Sequence, residues 1–433
     1  MRYSEGNKPL YAFYGDDFTG STDVLESLAL HGLPAVLFPH PPEQRELAAF
    51  AHCRAFGIAG ESRSRSPQWM DDNLPAIFAN LKSLGAPINH YKVCSTFDSA
   101  PEMGSIGRAM ELGREAFTSG FVPVVVAAPH LGRSVVFGNL FADAGGVMYR
   151  IDRHPTMSRH PITPMHEADL RRHLARQTSL SVELVDLKAF QQSAIREQLQ
   201  ARLAAGAEVV LFDGCADAML DETARLLWEQ AVERPMFAVG SSGLTYGLLR
   251  HWRQTGLIEA SPVYQRPAAA DRLLVLSGSC SPVTEMQIRC AQQRGFAAWH
   301  LQNGSWDEQI RQATEALASG RSVVLYTALG PQAGPQAGKA EYGEQYSAAL
   351  GRELRKLLML SGVRRVLIAG GDTSTHTVRQ LGLDALTFAA PLTPGAPLCK
   401  GHAAGSPLDG LEIVLKGGQI GPADFFAQVR DGQ

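Results

Sequence analysis

The chain lacks most of the signatures that would place it at once. It has no GxxxxGK[ST] motif, which excludes a P-loop nucleotide site. No segment approaches the ~20 apolar residues of a membrane span. Cysteine is scarce, with six in 433 residues (Cys53, Cys94, Cys215, Cys280, Cys290, Cys399). Their scatter offers no CxxC and no zinc spacing, so neither a disulfide framework nor a resident metal site is expected, and a reducing cytosol fits. A large excess of either charge is also missing. A net charge of −3 creates no global field toward nucleic acid or an anionic membrane, so neither is expected as a partner. Met1 to Leu10 carries charge and proline instead of a signal-peptide core, and a cytoplasmic enzyme is the expectation.

What is present is an ordinary globular composition, 45% apolar and 19% charged. The length exceeds what one core usually organises, which predicts two domains. Apolar strand-like runs alternate with helical patterns, the mark of α/β layers. Strands are predicted at Leu10–Tyr14, Pro34–Phe38, His90–Cys94, Val122–Ala128, Glu208–Phe212 and Met236–Val239. Helices are predicted at about Ser21–His31, Leu74–Leu84 and Gly104–Ser119. Residues 256–271 lack periodicity and hold two prolines, so they read as a linker between domains 1–255 and 272–433. Later strands are predicted at Leu273–Leu276, Val323–Tyr326, Arg365–Ala369 and Leu411–Leu415. The tandem P-Q-A-G within Leu329–Gly343 reads as a solvated excursion, with a functional lid as the alternative. The predicted fold class is α/β with two domains, each a mostly parallel sheet flanked by helices.

The richest stretch is Val366 to Ala369 followed by Gly370-Gly371-Asp372-Thr373-Ser374. A buried strand ends in a turn that opens a helix, where free N–H groups and the helix dipole favour a phosphate. Thr373 and Ser374 are read as capping residues, and Asp372 could orient Mg²⁺ through water. An ordinary strand-to-helix turn accounts for the same letters. Two similar turns share this half of the chain: Ser277-Gly278-Ser279-Cys280-Ser281, and Gly417-Gly418-Gln419-Ile420-Gly421 beside Lys416. The first also reads as a cap for a helix from Thr284. Three such turns after strands would line one sheet edge, where a triphosphate fits.

The other half carries side-chain chemistry. Asp16 and Asp17 follow the first strand and precede T-G-S-T, where they could hold a polyol or serve as base; Asp17 and Ser21 equally read as a helix cap. Lys92 sits within a strand-like run and calls for a counter-charge or anionic ligand, unless it snorkels from an edge strand. Ser95, Thr96, Asp98 and Ser99 follow it and suit a hydroxylated acid. Residues 150–166 pack Arg150, Arg153, Arg159, His154, His160 and His166 among three prolines. They form an extended loop that could receive a carboxylate or phosphate, or serve only as rigid surface; the histidine spacing fits no zinc pattern.

These clusters, in this order, resemble the four-carbon acid sugar kinase family: G-D-D-F-T-G-S at 15–21, K-V-C-S-T-F-D-S at 92–99, H-P-I-T-P-M at 160–165, S-G-S-C-S at 277–281, G-G-D-T-S at 370–374 and the turn at 417–421. The resemblance implies an N-terminal acid-sugar domain, a C-terminal ATP domain and an active site in the cleft between them. It implies ATP contacts from Ser277, Ser279, Ser281, Gly370, Gly371, Asp372, Thr373, Gly418, Gln419, Ile420 and Gly421. Asp16, Asp17, Lys92, Ser95, Thr96 and Ser99 would face the sugar acid, with Asp98 an alternative base and Arg153 and His160 carboxylate partners. Many members carry D-S-T-L-R-G where this chain has C-S-T-F-D-S, a variant similar to a 3-oxo-tetronate branch. The 150–165 loop is similar to relatives acting on the branched 3-oxo-isoapionate. Phosphorylation of a terminal hydroxyl by ATP with Mg²⁺ follows, and a homodimer is compatible with it. Two alternatives stand beside it: an NAD-dependent oxidoreductase, although GxGxxG with a following acid is missing, and a non-catalytic nucleotide or sugar sensor, although no basic recognition helix is evident.

Overall fold

The computed structural model describes residues 8–160, 162–301, 306–330 and 340–433, with the side chains of 340–343 and Asp372 outside that set. The P-Q-A-G tandem at 331–338 and Pro161 of the H-P-I-T-P-M motif lie outside the described residues.

In chain order the elements begin β1 (Tyr11–Gly15), α1 (Phe18–Leu30), β2 (Ala35–Phe38), α2 (Gln44–Ala49), β3 (Ala55–Ala59), α3 (Pro67–Ser83), β4 (Ile88–Lys92), α4 (Ile106–Phe117) and β5 (Val122–Val125). Next come β6 (Arg133–Val136), β7 (Asn139–Ala144), β8 (Val147–Arg150), α5 (Leu170–Leu174), β9 (Val182–Val185), α6 (Leu187–Gln191), α7 (Ile195–Ala204) and β10 (Val209–Phe212). They are followed by α8 (Asp217–Glu233), β11 (Met236–Gly240) and α9 (Ser242–Gln254). After a stretch without regular structure follow β12 (Leu274–Ser277), α10 (Pro282–Gln293), β13 (Ala297–His300), α11 (Asp307–Ala318), β14 (Val323–Tyr326) and α12 (Ala340–Ser361). The chain closes with β15 (Arg365–Ala369), α13 (Gly371–Gln380), β16 (Ala385–Thr393), β17 (Ala396–His402), β18 (Glu412–Lys416) and α14 (Phe425–Asp431).

Two compact units emerge, and a single cut does not separate them. The first holds the chain up to Asp16, His31–Pro34 and Pro41–Ser261; the second holds Asp17–Leu30, Ala35–His40 and Pro262–Gln433. The expected boundary near 255 therefore misses that α1 and β2 group with the later half. The physical reason is their packing: α1 lies against β2, β16, β17 and α13, and β2 pairs with β16 through Leu37 and Leu386.

In the first unit the strands run β3-β1-β4-β11-β5-β10-β9, all parallel. Each residue of β1, β4 and β11 is buried, as befits strands covered on both faces. An aromatic cluster fills one face, where Phe237 meets Phe78 at 5.1 Å and stacks on Phe117 at 5.3 Å. β6, β7 and β8 form a separate antiparallel sheet. In the second unit β13-β14-β12-β15-β18 are parallel, and β17, β16 and β2 extend the sheet antiparallel. Its core gathers Val275, Val324, Leu367, Val414, Phe425 and Phe426 around α10 and α14. Both units are thus mostly parallel sheets flanked by helices. No helix among the described residues is long and apolar enough to cross a membrane.

Candidate functional site

In the second unit β12, β15 and β18 are neighbours, and register fixes where they end. Ser277 pairs with Ala369, and Ala369 pairs with Lys416. The three glycine turns therefore leave one edge of the sheet side by side. They also touch: a Cβ on Gly278 would meet Thr373 Oγ1 at 2.0 Å, and one on Gly418 would meet Ser279 Oγ at 2.8 Å. Only glycine permits that approach. Gly370 adopts φ 116° and forms the N-cap of α13. Thr373 and Ser374 were expected to cap this helix, and they do not: both lie inside it, where the Ser374 N–H donates to Gly370 O at 2.8 Å. With glycine at the cap, no cap side chain accepts from the first-turn N–H groups, which suits them to a ligand.

The remaining residues of this edge divide by role. Ser281 caps α10, accepting from Val283 N at 3.2 Å, so that helix begins at Pro282 and not at Thr284. Ser279 Oγ accepts from Ser281 N at 3.2 Å. The Ser277 hydroxyl is wholly buried without a hydrogen-bond partner among the described residues, and Thr373, 7% exposed, has none for its hydroxyl either. Among the described residues, no atom outside its own turn lies within 4 Å of a notional Cβ on Gly371. Gly418, Ile420 and Gly421 are half-buried and Gln419 is exposed. Asp372 sits in the first turn of α13, its side chain outside the described set. Orphan hydroxyls and open amides around a glycine cradle fit a phosphate chain.

The first unit gathers charge at the corresponding edge. Gly15 is in register with Ala59 and Lys92, and Lys92 with Gly240. Asp16 follows β1 directly; it is buried, and its N–H donates to Lys92 O at 2.9 Å. Lys92 is 4% exposed, and its ammonium has no hydrogen-bond or ion-pair partner among the described residues. Such a cation is costly unless a ligand anion meets it. Ser95, also buried, keeps its hydroxyl without a partner among the described residues.

Asp98 has the opposite character. Its carboxylate accepts from Thr96 Oγ1 at 2.5 Å, Arg63 Nη2 at 2.8 Å and Thr163 Oγ1 at 3.1 Å. Burial alone would push its pKa up, but Arg63, Thr96 and His160 outweigh burial and hold it below the usual carboxylate range. Ser99 Oγ bonds His173 Nε2 at 2.9 Å and accepts from Gln177 Nε2 at 2.9 Å. Burial lowers the His173 pKa to about 4, so the ring is neutral. Between Thr96 and Asp98, Phe97 takes φ 55° while fully buried, a strained backbone held by packing. His160 Nδ1 accepts from Thr163 N at 3.1 Å, whereas Arg153 is exposed and shares no hydrogen bond with this group.

Asp17 belongs to the second unit. Its Oδ1 accepts from Gly20 N at 2.6 Å, the capping geometry that the sequence also allowed. The next N–H, of Phe18, donates to Thr375 Oγ1 at 3.4 Å, and Thr375 Oγ1 donates to Gly371 O at 3.1 Å. The start of α1 is thereby tied to the start of α13. Arg63, Thr163, His173 and Gln177 were not singled out from the sequence as functional. Arg63 carries a faint signal in E-S-R-S-R at 61–65, where Arg65 pairs with Glu61 at 2.6 Å.

Comparison with known proteins also divides the chain in two, but along the sequence, with α1 and β2 in the first part. A family model described as a sugar-binding N-terminal domain matches residues 11–248, and one described as a nucleotide-binding C-terminal domain matches residues 274–426. A 3-oxo-isoapionate kinase from Paraburkholderia graminis is 45% identical, covering 98% of this chain and 94% of its own length. A 3-oxo-tetronate kinase from Pseudomonas savastanoi pv. phaseolicola is 31% identical, covering 97% and 96%. The crystal structure of Haemophilus influenzae protein HI1011 matches with a TM-score of 0.70 at 25% identity, covering 97% of this chain and 99% of that one. These relatives lend no support to the oxidoreductase or the sensor. With both family models matched across most of its length, the chain belongs to the four-carbon acid sugar kinase family.

Proposed function

We propose that this protein transfers the γ-phosphoryl group of ATP to a terminal hydroxyl of the branched acid 3-oxo-isoapionate. The observation that carries the acid substrate is Lys92, a buried ammonium with no counter-charge among the described residues, followed three residues on by the open hydroxyl of Ser95. The 45% identical kinase supports the branched acid. 3-oxo-tetronate is the second reading, favoured by the C-S-T-F-D-S sequence at 94–99.

In this reading Lys92 and Ser95 bind the carboxylate and a hydroxyl, and Arg153 and His160 complete the acid side. The three glycine turns hold the triphosphate through backbone N–H groups. Mg²⁺ would neutralise the phosphate oxygens as charge shifts to the leaving group. The hydroxyl oxygen attacks the γ-phosphorus in line, the bond to the β,γ-bridging oxygen breaks, and ADP leaves. Asp16 or Asp17 takes the hydroxyl proton. Asp98, engaged by three donors and held acidic, is a positioning anion in this scheme. The enzyme is placed in the cytoplasm, and a homodimer, checked by sedimentation, belongs to the same proposal.

The test is ADP release with a panel of four- and five-carbon 3-oxo acids and their reduced counterparts. Turnover with the branched oxo-acid is expected to lead. Equal turnover with all acids removes the substrate assignment, and thermal stabilisation by NAD(H) but not by ATP–Mg²⁺ removes the kinase.

A further inference from the structure

The turn at 417–421 is fastened from beneath by three buried side chains. Thr284 Oγ1 donates to Gly418 O at 2.9 Å. Gln287 Nε2 reaches the carbonyl oxygens of Ile420, Gly421 and Pro422 at 3.0, 3.1 and 2.9 Å. Lys416 Nζ donates to Thr284 Oγ1 at 3.0 Å and reaches Gly418 O at 3.5 Å. Thr284, Gln287 and Lys416 are all 0% exposed.

Their effect follows from peptide geometry. In a trans peptide the N–H points opposite to the C=O it is bonded to, and no peptide bond here is cis. Drawing the Gly418 and Ile420 carbonyls inward toward α10 therefore turns the N–H groups of Gln419 and Gly421 outward. Among the described residues those two N–H groups donate to no backbone carbonyl. Outward N–H groups on a tight turn make a concavity for an anion.

Lys416 is an expensive choice if holding a turn were its whole purpose. The oxygens its ammonium meets, of Thr284 and Gly418, are neutral, and a buried charge without a counter-ion costs stability. Burial lowers its pKa to about 7, and no ionised side chain among the described residues contributes to that shift. A bound polyanion above the turn would supply the missing counter-charge.

We propose that Lys416, Thr284 and Gln287 form a concealed bracket that aims the amides of the 417–421 turn at nucleotide phosphate, with Lys416 as a positioning residue. The proposal rests on reading the three glycine turns as the nucleotide site. Two consequences separate it from a purely structural role. Replacing Lys416 with an apolar residue of similar length relieves a buried charge, so folding holds or improves while nucleotide binding weakens. Nucleotide binding also draws a proton onto Lys416 in the wild type, so affinity falls as pH rises through about 7.

The experiment measures MgADP affinity by calorimetry, with thermal stability alongside. Lys416→Met is expected to weaken binding about tenfold, to melt no lower than wild type, and to lose the excess pH dependence between about pH 6 and about pH 8. Thr284→Val is expected to weaken binding, and Thr284→Ser, which keeps the hydroxyl, to restore it. Gly371→Val tests the underlying reading, because among the described residues no atom outside its own turn lies within 4 Å of its Cβ. If Gly371→Val abolishes binding while Lys416→Met and Thr284→Val bind as wild type, the bracket is wrong and the nucleotide site stands. If Gly371→Val binds as wild type, the nucleotide reading fails and the bracket with it.

Discussion

The two units carry opposite kinds of group where their parallel strands end. The first unit follows its strands with side-chain charge: Asp16 after β1, Lys92 at the end of β4, and the Arg63–Asp98 pair on adjoining loops. The second follows its strands with glycines and small hydroxyls, so that on the proposed reading the backbone itself is the binding surface. Phosphate presents the same oxygens whatever nucleotide carries it, and main-chain N–H groups suffice for it. A sugar acid differs from its neighbours in carboxylate, keto and hydroxyl positions, which only placed side chains can tell apart. Asp17 complicates the contrast, because this acid groups with the backbone-lined unit.

That exception gives the prediction with the largest effect. If Asp17 takes the hydroxyl proton, Asp17→Asn lowers kcat by about a hundred- to ten-thousandfold and leaves MgADP affinity nearly intact. Full turnover by Asp17→Asn would return Asp17 to a helix cap and shift the base to Asp16. Next is Lys92→Met, for which the KM of the acid rises by about thirty- to a thousandfold. Its melting temperature stays level or rises, because an uncompensated buried charge is removed. A lowered melting temperature with unchanged KM would make Lys92 structural and erase the contrast between the units.

A smaller effect separates Asp98 from the two acids before it. Its carboxyl is held below the ordinary 3.8 although burial opposes this, chiefly by Arg63. A depressed carboxyl contributes stability that is present above its unfolded pKa and lost as pH falls through its folded value. Arg63→Met leaves burial dominant, so the acid limb of both kcat/KM and thermal stability moves to higher pH. An acid limb that stays in place would mean that Thr96 and Thr163 hold the charge without the cation.

Much of the parallel framework was legible in the sequence. Val323–Tyr326 and Arg365–Ala369 are strands at the expected residues, since unbroken β-branched or apolar runs bounded by turns have few other uses. The glycine turns were legible for the same reason. β16 and β17 were not: Pro391, Lys400 and Gly401 interrupt their pattern, and pairing across the hairpin supplies the order. The division of Asp16 from Asp17 was also invisible. Adjacent letters fall in different units because α1 packs on β16, β17 and α13, more than three hundred residues further along the chain. Lys416 stood out beside its turn, yet its partner Thr284 lies 132 residues away in sequence, and nothing in either segment announces the bond.

The packing of α1 can be tested through Glu26, where the expected effect on activity is smallest. Glu26 is 5% exposed and accepts from Gly395 N at 2.8 Å, in the turn between β16 and β17. Burial is the main cause that raises its pKa to about 7; Asp23 adds to the rise and the Gly395 N–H opposes it. The folded value lies above the unfolded one, so this group's contribution to stability is complete below about pH 4.5 and is lost as pH rises through about 7. Glu26→Gln removes that titration while keeping an oxygen for Gly395. At about pH 8 the variant should be more stable by on the order of 3 kcal/mol at most, with the gain fading toward about pH 5. Amide hydrogen exchange locates the effect: slower exchange across β16 and β17 at the higher pH, with β4 and β5 unchanged, is expected. Equal slowing in β4 and β5 would mean that α1 serves both units alike. The acid motif at its start could then no longer be counted with the phosphate turns.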